Sequence, residues 1–233
     1  MRRSRRLVLR AATGLVLLGV PAAASATTRF YVGPSGGAWL TSSNWNPVGA
    51  PAPGDTAVLN NGIAGSYTVN FGAGNYNAAT PINQLFVSSQ SGGAVNFVQN
   101  VVGSSMAAIE EHIGADTGTG VYNQSAGLNT VTSDGTQAGL RLGENFNTGI
   151  YNLSGGTLSV ASGNEQLGSG GKGTFNQTGG FNGASRVSLA VQGTGSQVGT
   201  GTYLISAGTL SAVDILDVGA QGTGFFESCC AFA

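Results

Sequence analysis

The chain has 233 residues and is poor in the side chains that usually carry chemistry. It contains one histidine, two cysteines, two methionines and two tryptophans, and only 8% of its residues are charged. A lone histidine, His112, cannot build a multi-histidine zinc site. The adjacent Cys229 and Cys230 do not make a disulfide framework, because neighbouring cysteines bridge each other only with backbone strain. Basic residues are concentrated at one end. Five of the nine Lys and Arg fall within the first ten residues. Beyond them Arg29, Arg141, Lys172 and Arg186 stand against ten acidic residues, a net charge of −6. Nucleic acid and anionic membrane are therefore excluded as partners, since a phosphate-binding surface needs clustered Lys and Arg. No window outside the leader shows the 3.6-residue apolar period of a packed helix, which excludes bundles and doubly wound folds.

Glycine is abundant, with 40 residues, and it punctuates a repeated phrase. VYNQSAG (121–127), IYNLSGG (150–156), TFNQTGG (174–180) and TYLISAG (202–208) are followed by a degraded copy, FFESCC (225–230). In that last copy Cys229 and Cys230 stand where Ser/Thr-Gly is expected, and they are read as a broken final unit. The aromatics Tyr122, Tyr151, Phe175, Tyr203 and Phe226 are 29, 24, 28 and 23 residues apart, averaging 26. A self-similar period of this length signals stacked repeats.

A second phrase keeps step with the first: EHIG (111–114), LRLG (140–143), EQLG (165–168) and LDVG (216–219). In the remaining unit Leu189-Ala190-Val191 is assigned to the same slot, with the glycine displaced by Gln192. A third piece follows the aromatic phrase as TLSV (157–160) and TLSA (209–212). Three short alternating strands separated by glycine corners describe one rung of a parallel β-solenoid, or β-helix. The expected fold is all-β, a single solenoid with about three strands per coil of roughly 26 residues.

Period-2 alternation places Tyr151, Leu153 and Gly155 on one face and Ile150, Asn152 and Ser154 on the other. The aromatic face is assigned to the core. Gln124 and Gln177 then point inward and need hydrogen-bond partners, which side-chain ladders between stacked like residues would supply.

The chain divides into a signal peptide (1–26), an irregular N-terminal cap (27–60) and solenoid repeats (61–233) with an incomplete last coil. The leader pairs a basic start with a ten-residue apolar stretch (11–20) and a small-x-small site, Ala24-Ser25-Ala26, placing the mature start at Thr27. Ten apolar residues fall short of the roughly 20 that a membrane span needs, so no transmembrane segment is expected in the mature chain. Ser4-Arg5-Arg6-Leu7-Val8-Leu9-Arg10 resembles a twin-arginine export signal, with Val8 where that pattern usually has Phe; a general secretory signal is the plainer reading. The cap holds both tryptophans, Trp39 and Trp45, and most of the prolines. Covering the first coil is preferred there to a sugar-stacking platform.

Copies such as Gly149-Ile150-Tyr151-Asn152-Leu153-Ser154-Gly155-Gly156-Thr157-Leu158 resemble the repeats of bacterial surface proteins that carry a PEP-CTERM sorting tail. They are also similar to autotransporter-associated β-strand repeats. Asn44-Trp45 and Pro53-Gly54-Asp55 resemble the entry region of such chains. The resemblance implies an exported surface or matrix component. The sorting tail and any barrel translocator are missing, which leaves open that the chain is a piece of a longer protein.

Catalytic chemistry finds little support in the residues. Glycoside hydrolysis needs two convergent carboxylates roughly 5 to 10 Å apart. Glu110 and Glu111 are consecutive and diverge, as do Asp214 and Asp217, three residues apart. Across coils, Asp217 is placed beside Ala190 and then Gln166. His112 takes the outward slot of Arg141, Gln166 and Asp217 and is expected to be a solvated surface residue. Asp116, Asp134 and Glu144 lie in turn regions but lack a regular calcium-binding repeat. Lys172, in GSGGKG (168–173), lacks the spacing of a phosphate loop and is read as a turn. No catalytic, cofactor or metal residues are assigned. The expected function is that of a secreted or cell-surface structural or adhesive solenoid without catalytic activity. The alternative is a carbohydrate-binding or polysaccharide-cleaving β-helix, which would show a groove of aromatics and carboxylates on one solenoid face. Expected partners are surface polysaccharide, other surface proteins, and copies of the chain itself through end-to-end association at an open last coil.

Overall fold

The structure, a computed structural model, describes residues 25–60, 65–90, 92–133, 138–193 and 197–229. It is a parallel β-solenoid of about six turns, and its only helical element among these residues is the 3-10 turn Ser42–Asn44. Three sheet faces wrap one core. The first face stacks β2 (Gly37–Ala38), β5 (Tyr67–Asn70), β7 (Ala94–Gln99), β9 (Thr119–Gln124), β12 (Thr148–Leu153) and the starts of β14 (Lys172–Val191) and β15 (Thr200–Val218). β16 (Thr223–Ser228) completes it. The second face takes the start of β8 (Ser105–Ile113), then β10 (Leu128–Val131), the start of β13 (Thr157–Ser169) and the middles of β14 and β15. The third face begins with β1 (Thr28–Tyr31), β4 (Thr56–Leu59) and β6 (Ile82–Val87). It continues through the end of β8, β11 (Ala138–Glu144) and the ends of β13, β14 and β15.

The repeat phrases stack in register. Tyr122 pairs with Tyr151, Tyr151 with Phe175, Phe175 with Tyr203, and Tyr203 with Phe226. Their rings form one inward column, with Tyr122–Tyr151, Tyr151–Phe175 and Phe175–Tyr203 stacked at centroid distances of 4.6, 5.0 and 4.7 Å. The first four are fully buried, as the alternation within IYNLSGG requires.

The inward glutamines do not form the expected ladder. Gln124 and Gln177 are separated in the register by Leu153, so neither amide reaches the other. Tyr151 Oη donates to Gln124 Oε1 (2.6 Å) and Tyr203 Oη to Gln177 Oε1 (2.6 Å). The glutamine amides donate in turn to the Thr157 and Thr209 carbonyls. The ladder lies on the outer surface instead. Asn152 Nδ2 donates to Asn123 Oδ1 and Asn176 Nδ2 to Asn152 Oδ1, both at 2.8 Å.

The irregular fourth unit is shifted from the expected slot. Glu165, Gln166 and Leu167 pair with Val187, Ser188 and Leu189, so VSLA (187–190) holds the slot assigned to Leu189-Ala190-Val191. The corner position has φ 75, 68, 77 and 77° at Gly114, Gly143, Gly168 and Gly219, and Ala190 occupies it at φ 61°. The backbone keeps its left-handed corner even where glycine is replaced, which hides the slot from a search for glycine. It follows that the coil neighbour of Asp217 is Ser188, not Ala190. Lys172 likewise opens strand β14 and is not a turn residue.

The ends differ. At the N-terminal end Trp39 and Trp45 are buried edge-to-face at 4.8 Å. Trp39 Nε1 donates to Tyr76 Oη and Trp45 Nε1 to the Trp39 carbonyl. Both rings are core, and neither is a platform for a ligand. At the other end the inward column Val87, Ile113, Leu142, Leu167, Leu189, Val218 is fully buried up to Leu189, whereas Val218 is 47% exposed. Each coil is buried by the next, as expected for a one-dimensional stack.

Candidate functional site: the third face

Polar chemistry is sorted by face. The outward slots of the first face hold mostly Thr, Asn and aliphatic residues, with Lys172, Glu227 and the exposed Phe225 as exceptions, and those of the second hold small and apolar residues such as Thr130, Ser159 and Phe181. The third face carries Arg29, Glu110, His112, Arg141, Glu144, Arg186 and Asp217. Its central outward column runs in register as Phe30, Val58, Phe86, His112, Arg141, Gln166, Ser188 and Asp217. Three hollows of about 610, 370 and 270 Å³ lie along this face.

His112 occupies the outward slot it was assigned but is not solvated; it is only 5% exposed. Its ring stacks on Phe86 at 4.5 Å. Nδ1 lies 2.7 Å from Glu144 Oε1 and Nε2 3.1 Å from Glu110 Oε2. The imidazole therefore bridges two carboxylates, and Gln84 Nε2 also donates to Glu110 at 2.9 Å. Arg141 stands 3.8 Å from Glu144, and Arg186 donates to Asp217 at 2.9 Å. At the start of the face Asp55 accepts from Arg29 Nε at 2.6 Å and from the Thr27 N–H at 2.8 Å. Asp116 accepts from Asn60 Nδ2 at 2.8 Å. Asp214 is exposed next to this face, and Asp134 and Cys230 lie outside the described residues. Among the described residues no group of three His, Cys, Asp or Glu is placed to hold a metal ion.

A second polar constellation is internal and escaped the sequence reading. Asn129 Nδ2 donates to Glu111 Oε2 (3.0 Å) and to Tyr151 Oη (3.1 Å), and Tyr151 Oη donates to Gln124. Asn182 Nδ2 repeats this with Glu165 Oε2 and Tyr203 Oη, both at 3.1 Å, and Tyr203 Oη donates to Gln177. The module recurs every second coil, because Leu140 lies between Glu111 and Glu165 in the register and Leu158 between Asn129 and Asn182. Burial pushes the carboxyls of Glu111 and Glu165 up to about 8, against the smaller pull of their asparagine hydrogen bonds. In each module the second glutamate oxygen and the asparagine Oδ1 lack partners. A proton on the carboxyl supplies the one donor that this pair of acceptors lacks. Burial likewise pushes the Tyr151 phenol far above its usual range, keeping it a donor.

No protein-family model matches the chain, and comparison with curated proteins and with solved structures finds none similar to it.

Proposed function

We propose that the chain is an exported, non-catalytic solenoid with a structural and adhesive role at the cell exterior, and that its third face grips surface polysaccharide. The observation that carries this reading is the concentration of charged side chains on one face, in register with the exposed Phe30 and with Phe86 and beside open hollows. An extended polymer suits a face that runs the length of the stack. The charged groups of this face are engaged with one another, as in Glu110–His112–Glu144 and Arg186–Asp217. That supports binding over chemistry, which needs a carboxylate pair facing the substrate.

Export is supported by the leader and by the geometry at Thr27. Its backbone nitrogen already donates to the buried Asp55, so cleavage after Ala26 would set a new α-ammonium on that carboxylate. Co-sedimentation of the mature chain with insoluble cell-surface polysaccharide, with reducing ends measured in the same mixture, tests the reading. Sedimentation without release of reducing ends is expected. Failure to sediment, or release of sugar, would overturn it.

A further inference from the structure

The outward column of the third face has a gap in it. Phe30 and Phe86 flank Val58 in the parallel register, two ladder steps or about 10 Å apart. Phe30 is 45% exposed. Phe86 stacks one ring face on His112 at 4.5 Å and 10°, which leaves the opposite face toward Val58. The short Val58 side chain thus sits in a notch between two phenylalanines. The hollow of about 610 Å³ opens here, lined by Phe30, Val58, Phe86, Asn60, Asp116 and Thr117 among others. That volume lies within the usual range of small-molecule sites.

The polar wall of the notch sets the acceptors Asp116 and Thr117 beside the amides of Gln90 and Asn145. Asn60 is 8% exposed, and its Oδ1 is buried with no partner while Nδ2 is committed to Asp116. Thr117 Oγ1 donates to the Gln90 carbonyl, which leaves its oxygen to accept. The lining contains no Lys or Arg, and its one charged group is Asp116.

We propose that this notch is a slot for one pyranose ring of a neutral polysaccharide. The C–H faces of the sugar would lie against the phenylalanines and its edge hydroxyls would donate to the exposed Asp116 and Thr117. A flat aromatic ligand lacks that belt of edge donors, and a uronate is disfavoured beside Asp116. This inference rests on the polysaccharide-binding reading of the third face and assigns it a first subsite.

Calorimetric titration of the mature chain with cellohexaose, a neutral β-linked hexamer, and with a galacturonate hexamer tests the slot. Val58→Phe fills the notch from an outward position and Phe30→Ala removes one wall at an exposed one, so unchanged melting temperatures would show that both variants fold. Binding of cellohexaose over galacturonate, weakened about tenfold or more by either variant, is the expected result. Retained affinity in both variants, with loss in Arg141→Ala instead, would overturn the slot but leave the third-face reading standing. No binding of either hexamer would overturn the slot, and co-sedimentation would then decide the broader reading separately.

Discussion

Glu111 and Glu165 are carboxylic acids closed inside an apolar stack, and their behaviour with pH follows from that burial. Both have an ordinary value of 4.5 and are raised to about 8 in the fold. Below the ordinary value both states hold the proton, and the contribution to stability is fully present. As pH rises toward the folded value the unfolded chain releases protons that the folded chain keeps, so stability falls, by about 1.4 kcal/mol per pH unit per glutamate. The double variant Glu111→Gln, Glu165→Gln supplies each module with a permanent donor. Denaturant titrations between pH 4.5 and 8 should show a declining stability in the parent and a markedly flatter profile in the variant. Equal slopes would mean that the two acids are not held protonated. The sequence displays EHIG and EQLG but not the module, because its members sit on all three faces and repeat over two coils, whereas the visible phrase repeats over one. His112 shows the same limit. Its slot is legible from alternation, but its burial depends on Phe86 from the preceding coil and Glu144 beyond the following corner.

At the scale of the strand, period-2 alternation carried nearly all the information that sets the inner face. The Tyr122–Tyr151–Phe175–Tyr203 column was readable because each copy of the phrase has its aromatic at the same place between two glycine corners. The fourth corner was misplaced because Ala190 adopts the glycine conformation, and one methyl group conceals the match. The inner and outer slots of β12 make a paired test. Tyr151→Asp puts a charge into the stacked column and removes the hydroxyl shared by Gln124 and Asn129; its cost should exceed about 4 kcal/mol. Asn152→Asp can still accept from Asn176 and loses one outer hydrogen bond, about 1 kcal/mol. Chemical denaturation distinguishes the two, and the reverse order would place the wrong face inside.

The whole molecule is a stack whose two ends are unlike. Trp39 and Trp45 close the first coil, while Leu216 and Val218 of the last described third-face strand are 40% and 47% exposed at positions that are fully buried in earlier coils. Among the described residues β16 covers only the first-face part of β15. Parallel edges of this kind recruit further strands. If the exposed edge at Leu216 and Val218 associates, two copies meet tail to tail, so light scattering across a concentration series should show a dimer. Monomers at every concentration would contradict this, and open-ended fibres would show that the tryptophan end also associates. Charge is unevenly distributed as well, with most of the outward Arg, His, Asp and Glu side chains on the third face. Hydrogen exchange of the mature chain with and without a soluble neutral polysaccharide tests the functional account most directly. Protection is predicted to recur once per coil at third-face segments, in β4, β6, the end of β8 and β11, with little change in β9 and β12. Protection centred on the Asn123–Asn152–Asn176 ladder, or none anywhere, would contradict the account.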